Sequence, residues 1–411
     1  MIVAAIVLSA LTIHEDDFAA AQQRAQAEKK AIVVDLWAPW CHSCLSMKHY
    51  VFKDARVQAL DKTAVFVAID TEKDQNQALV ARFKPSVWPT FLVLDSKGER
   101  VLSRLAGSAT AQEFAAFVSS AAAEKKSSTI ARADAALTSG ARPEAMKLYQ
   151  AALGEKGLTP AQIGRAAVSL VLMYWQDGRA DQCALEGERF AKGAAGTYFA
   201  PSLRATAAEC AMEKEPVDKK ALERLKTALI EDLKSPELNV DDKSDLFATL
   251  TSLHEALGDQ AAALATKQAR LQLLEDAAKS APDPETARTF DAHRTEAYLG
   301  LDRPDDAIKM LTASEQIAPQ DYNPPARLAN AYLKKGDLEN AKAAVARARA
   351  KVYGPRAAVV LMLEGEIQEK SGDKAKAKQA YAAAKDVLSK QPPSLGVQRR
   401  LQKLEKILGT L

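Results

Sequence analysis

The run Ala31-Ile32-Val33-Val34-Asp35-Leu36-Trp37 constrains this chain more than any other stretch, because it is apolar on both faces and broken by a single carboxylate. A strand that needs cover on both sides belongs in the middle of a sheet with helices above and below it. Soon after it come Cys41 and Cys44, separated by His42 and Ser43, where a short helix should begin. The neighbouring segments alternate in kind. Glu15 to Lys29 reads as an alanine-rich helix, Ala64 to Asp70 as a second β-rich run and Asp74 to Phe83 as another helix. Thr90 to Leu94 and Val101 to Leu105 read as strands joined by the turn Asp95-Ser96-Lys97-Gly98, with a covering helix from Ala111 to Ala123. The expected order is a parallel β-α-β unit, then an antiparallel hairpin and a helix.

Cysteines in this position have a specific chemistry. The first turn of a helix presents unpaired backbone N–H groups and the positive end of the helix dipole, and both stabilise a thiolate. Cys41 is therefore placed to attack. Cys44, about one turn on, is placed to resolve the resulting mixed disulfide. A half zinc site is the competing reading of such a pair, but zinc takes four ligands and no second CxxC or HxxxH accompanies this one. No metal and no cofactor is predicted. Cys183 and Cys210 fall on successive predicted helices, where they would either be bridged or, as favoured here, remain separate buried thiols behaving as small hydrophobes.

Residues 12 to 120 resemble a thioredoxin domain, and within that superfamily the C-terminal domain of the periplasmic DsbD-type thiol:disulfide interchange reductases. The resemblance rests on Asp35-Leu36-Trp37-Ala38-Pro39-Trp40-Cys41-His42-Ser43-Cys44, on Tyr50-Val51-Phe52-Lys53-Asp54-Ala55-Arg56-Val57, and on Trp88-Pro89-Thr90. It implies disulfide reduction or interchange outside the cytoplasm, with client protein disulfides and an upstream redox donor as partners. It also implies that Asp35 takes the proton from Cys44, that Pro89 is the family's cis-proline, and that Trp40, Trp88 and Pro89 form the substrate surface. Burial of Asp35 in a two-faced apolar strand should raise its pKa toward a useful value. Two departures bear on the proton path. The thioredoxin lysine near the buried acid has Phe66 at its aligned position, and a second acid of the DsbD-type domains is replaced by Lys48. His42 beside a thiolate can favour the reduced form and make the pair more oxidising, which leaves isomerase and oxidase activities open.

Beyond Ala123 the chain is alanine-rich and no strand is evident. A pattern recurs: Gly, Ala five residues on, a large residue four further, a small one three beyond. Gly140-Ala145-Tyr149-Ala152, Gly336-Ala341-Val345-Ala348 and Gly372-Ala377-Tyr381-Ala384 fit it, and Ala307-Leu311-Ser314 fits with Asp302 in the glycine place. Ala307 to Ala341 is 34 residues and Ala341 to Ala377 is 36. This resembles the tetratricopeptide repeat (TPR), whose hairpins stack through such small residues. Gly178 and Gly258 mark poorer copies, and 200–240 is irregular, so five or six hairpins are expected. The fold class is thus an α/β thioredoxin fold over 1–124 followed by an all-α TPR-like helical solenoid over 125–411, with Glu124 to Ser128 as the boundary and each side folding alone.

The array would recruit a protein or peptide partner. The alternative is an interaction scaffold whose first domain is only structural. With 56 basic and 53 acidic side chains, the chain offers no electrostatic footprint for nucleic acid. Met1 to Leu11 is apolar but too short to cross a bilayer. It reads as a first strand or as part of an export signal lacking a positive n-region, and a periplasmic or otherwise exported location is expected, with a cytoplasmic one as the alternative.

Overall fold

The computed structural model describes residues 11–123, 127–392 and 395–411. Met1 to Ala10 and the expected boundary residues Glu124 to Lys126 lie outside them. The strands are β1 (Ile13–Glu15), β2 (Ala31–Trp37), β3 (Ala64–Asp70), β4 (Thr90–Leu94) and β5 (Val101–Ala106). They form one sheet in the order β1-β3-β2-β4-β5, in which β3 runs parallel to both β1 and β2 while β4 is antiparallel to β2 and β5. The helices of this part are α1 (Phe18–Glu28), α2 (His42–Ser46), α3 (Ala55–Gln58), α4 (Gln77–Phe83) and α5 (Ala111–Ala123). As its two-faced apolarity requires, β2 lies between β3 and β4. Ile32, Val34 and Leu36 pack on Ala21 and Ala25 of α1 and on Phe83. Val33, on the other face, joins Phe66, Phe91, Phe114 and Val118.

Helices alone follow: α6 (Thr129–Ser139), α7 (Arg142–Ala152), α8 (Pro160–Gln176), α9 (Ala180–Gly193), α10 (Phe199–Met212), α11 (Lys219–Asp232), α12 (Val240–Leu257), α13 (Gln260–Ser280), α14 (Pro284–Arg288), α15 (Asp291–Gly300), α16 (Pro304–Ile317), α17 (Asn323–Lys335), α18 (Leu338–Lys351), α19 (Ala357–Lys370), α20 (Lys374–Ser389) and α21 (Leu395–Thr410). The stretch read as irregular holds two regular helices, α10 and α11. The glycine of the repeat pattern closes a helix in the left-handed region, with φ of +91° at Gly140, +82° at Gly336 and +83° at Gly372. Asp302 takes the same conformation at +57°, which explains how an aspartate substitutes there. Each alanine of the pattern is fully buried, as are Tyr149 and Leu311, so the pattern records the faces through which hairpins touch.

Compactness divides the chain differently from fold class. One unit holds the described residues up to Thr71 together with Gln75–Leu257, and the other holds Glu72–Asp74 and Gly258–Leu411. Within the first unit the sheet and the first hairpins share a single core. Phe91, Phe114, Phe117 and Val118 are continuous with Ile130, Ala133, Tyr149, Ala166 and Leu170. A buried polar hub spans the same seam. Asp134 of α6, with no exposed surface, accepts from the Arg104 backbone N–H and Ser103 Oγ of β5, from Tyr149 OH of α7 and from Arg165 Nη1 of α8, the last at 2.6 Å. The expectation that each side of 124–128 has a core of its own is corrected by this shared packing. In the second unit Leu311, Leu328, Leu333, Val345 and Ile367 form the core of the central hairpins.

Candidate functional site

Strand β2 delivers the chain to the site, and the loop Ala38 to Trp40 turns it into α2. Cys41 is the N-cap of that helix; its sulfur accepts from the Cys44 N–H at 3.1 Å, so a sulfur lies where a capping oxygen usually would. Cys41 and Cys44 are joined in a disulfide, with exposures of only 4% and 1%. Trp40 and Trp88 stack obliquely beside them, ring centroids 5.4 Å apart. The Trp88–Pro89 peptide bond is cis. The Trp88 indole N–H donates to Thr71 Oγ1, and Thr71 in turn donates to the Trp37 carbonyl, tying the cis-proline loop to the end of β2. The expected residues Trp40, Cys41, Cys44 and Trp88 therefore form one cluster, together with Trp37 and Ala38.

Asp35 lies inside β2, 4% exposed, and neither of its carboxylate oxygens has a hydrogen-bond partner among the described residues. Burial raises its pKa to about 7, Lys48 opposes the rise and Glu15 adds to it. Phe66 is buried in the core and supplies no charge, but Lys48 does. The lysine stands one turn after Cys44, in the π-helical turn Met47–Val51 that continues α2. Its ammonium sits 3.4 Å from the centroid of the Trp37 ring and 3.7 Å from Glu15 Oε2. Asp35 and Trp37 share a face of β2, since alternate strand residues point the same way, so a lysine held over Trp37 is also held near Asp35. Sequence comparison had registered Lys48 only as a lost acid; its spacing of four from Cys44 was the signal that it faces the site.

His42 does not stand free beside Cys41. Its Nδ1 lies 2.8 Å from Asp241 Oδ2, a carboxylate of α12 that is 2% exposed, and 3.2 Å from Ser43 Oγ. Nothing in the sequence links residues 199 positions apart. The second cysteine pair corrects an expectation: Cys183 of α9 and Cys210 of α10 are bridged, both fully buried, with Cα atoms 5.9 Å apart. Gly187 allows it, because a Cβ there would stand 2.9 Å from the Ala207 side chain where the two helices meet.

Sheet order, cis-proline loop and helix-capping CxxC together define a thioredoxin-like domain, joined to a tandem helical array. A family model described as thioredoxin-like matches residues 12–96, and a tetratricopeptide repeat model matches 298–363. The thiol:disulfide interchange protein DsbD of Haemophilus ducreyi is 34% identical over 92 residues, covering 22% of this chain and 16% of that protein. Its counterpart in Colwellia psychrerythraea is 36% identical over 102 residues, covering 24% and 17%. The chain thus spans about a sixth of the length of these curated relatives. Among solved structures, a tetratricopeptide repeat protein from Parabacteroides merdae aligns with 67% of this chain and 97% of its own, at 14% identity and a TM-score of 0.44.

Proposed function

We propose that the chain is a thiol–disulfide oxidoreductase that reduces or interchanges disulfides of a client protein. The observation that carries this is the CxxC disulfide capping α2 beside a cis Trp88–Pro89 bond, after a strand that holds a buried, unpartnered Asp35. In the reduced protein the Cys41 thiolate attacks one sulfur of the client disulfide. The second client sulfur leaves as a thiolate and is protonated, giving a Cys41–client mixed disulfide. Asp35 accepts the Cys44 proton, and the Cys44 thiolate attacks Cys41 Sγ. The client sulfur that was bound to Cys41 leaves as a thiolate and is protonated, and the Cys41–Cys44 disulfide remains, two electrons having passed to the client. An upstream dithiol donor returns the pair to the reduced state. Trp40, Trp88 and Pro89 line the place where an extended client segment would lie, and the helical array recruits the client or donor.

The bridge between Cys183 and Cys210 supports an exported, oxidising setting, since structural disulfides persist there and are rare where thiols are kept reduced. Among the described residues no helix is long and apolar enough to cross a membrane. The test is catalysis of insulin reduction by the purified chain with dithiothreitol as donor. Turnover well above the dithiothreitol background is expected; a rate equal to background refutes the reading. The Cys44→Ala variant should accumulate a mixed disulfide on Cys41, which identifies the client in an extract of the source cells.

A further inference from the structure

The residue between the cysteines that lies nearest Cys41 in sequence is His42, and its ring is held from outside the thioredoxin-like domain. Asp241 stands in the first turn of α12, where unpaired N–H groups help a carboxylate tolerate burial. Its Oδ2 is 2.8 Å from His42 Nδ1, and an ionised carboxylate there accepts from that ring N–H. Helices α2 and α12 belong to the same compact unit, which makes this contact part of the site's own packing. A histidine beside a CxxC nucleophile strengthens the oxidant by donating to the thiolate of the reduced form. Here the Nδ1 proton is spent on Asp241 instead.

We propose that Asp241 is a positioning residue of the redox centre, which turns His42 away from Cys41 and thereby keeps the pair a stronger reductant than its His-containing dipeptide alone would make it. The array is then a determinant of the reduction potential as well as a recruiting surface. This rests on the redox reading of Cys41 and Cys44 and extends it to a residue of the helical region.

The experiment measures the equilibrium of the Cys41–Cys44 pair with reduced and oxidised glutathione in the full-length chain, by alkylation and peptide-resolved mass spectrometry so that Cys183 and Cys210 are scored separately. Asp241→Ala releases the imidazole to donate to the Cys41 thiolate. The constant should move about tenfold toward the reduced dithiol, about 30 mV upward for a two-electron couple. His42→Ala should stay within about twofold of the parent, because the ring it removes was already directed elsewhere. The double variant should match His42→Ala. An unchanged constant in Asp241→Ala overturns the proposal, as does a shift that persists in the His42→Ala background. Should Asp241→Ala not fold, the single His42→Ala variant decides alone: a constant moved about tenfold toward the disulfide means that His42 already acts on the thiolate, and the proposal fails. A pair that does not equilibrate with glutathione at all defeats the oxidoreductase reading itself, an outcome distinct from equal constants in parent and variant.

Discussion

The molecule contains two cysteine pairs, and their settings differ in every respect that governs reactivity. Cys41 and Cys44 lie three residues apart across a helix start, with aromatic rings packed against them and a buried carboxylate in the strand that leads to them. Cys183 and Cys210 lie 27 residues apart on the facing sides of a helical hairpin, fully buried and inside their helices rather than at an N-cap. Sulfur atoms in bonding reach are common to both; exchange chemistry is favoured by a sulfur at a helix start, and of the two pairs the first has one there.

The sharpest way to break this contrast is by substitution. Cys41→Ser should lose all measurable exchange in the insulin assay, whereas the double variant Cys183→Ser, Cys210→Ser should keep its turnover within about twofold, since distant sites act independently. The same double variant should lose about 3.5 kcal/mol of stability, the entropy expected for closing a loop of that length, read by urea unfolding. Retained exchange in Cys41→Ser, or an inactive but folded double variant, would show that the two pairs have been assigned the wrong way round.

The first pair also leans on its surroundings. A fragment ending at Ala123 loses Asp134, Tyr149 and the apolar residues that complete the core, and it leaves the Arg104 backbone N–H and the Ser103 hydroxyl without the carboxylate that accepts from them. Leaving such donors without their acceptor costs about 1–3 kcal/mol each before the lost apolar packing is added. Such a fragment should bind a hydrophobic dye and unfold at much lower urea than the full chain.

Asp35→Asn should act in the opposite direction. The folded-state pKa of about 7 lies above the unfolded value, so the fold binds an extra proton between the two. Stability is therefore full below about pH 4 and is lost as pH rises toward 7, by about 4 kcal/mol in all. Asparagine removes that loss: the variant should equal the parent at pH 4 and exceed it at pH 8 by up to about 4 kcal/mol. It should also slow release of the Cys41 mixed disulfide, most of all above pH 7 where the parent carboxylate is ionised. Equal stability at both pH values would mean that Asp35 is not held in the low-dielectric interior.

The smallest effect is expected for Lys48→Met. The lysine holds the Asp35 pKa down, so its removal should move the midpoint of the resolving step upward, by about half to one pH unit. Stopped-flow rates across pH 6 to 9 would show it, and a downward movement would exclude Lys48 as the cation of this site.

What could be read in advance follows from where the determining interactions lie. Strands β2, β3 and β4 match their expected bounds because two-faced apolar runs have no other use, and the cysteine spacing fixed the start of α2. The repeat pattern located Ala145, Leu311, Ala341 and Ala377 correctly because each contact is made with the adjacent hairpin, a short-range rule. Residues acting across long separations left no such trace. Asp134 joining β5 to α8, Asp241 reaching His42, and Cys183 meeting Cys210 all depend on how hairpins stack upon one another and upon the sheet. Lys48 was visible only as a departure from the family's pattern, which says which acid is absent and not which ring the lysine rests on.

The core that runs from Phe114 through Ile130 to Leu170 bears on how such a chain changes over generations. A domain joined by an exposed linker can be traded between genes by recombination at the linker, with each piece arriving already competent to fold. Here a crossover at the junction would deliver an N-terminal piece with one side of its interior stripped and a polar hub cut in half. The nucleophile and the first hairpins are thus tied to a common inheritance. Variation is easier to accommodate farther along, where each added or deleted hairpin exchanges one stacking face for a similar one. Lineages carrying this arrangement should differ in the number of distal hairpins before they differ in the helices that close the sheet.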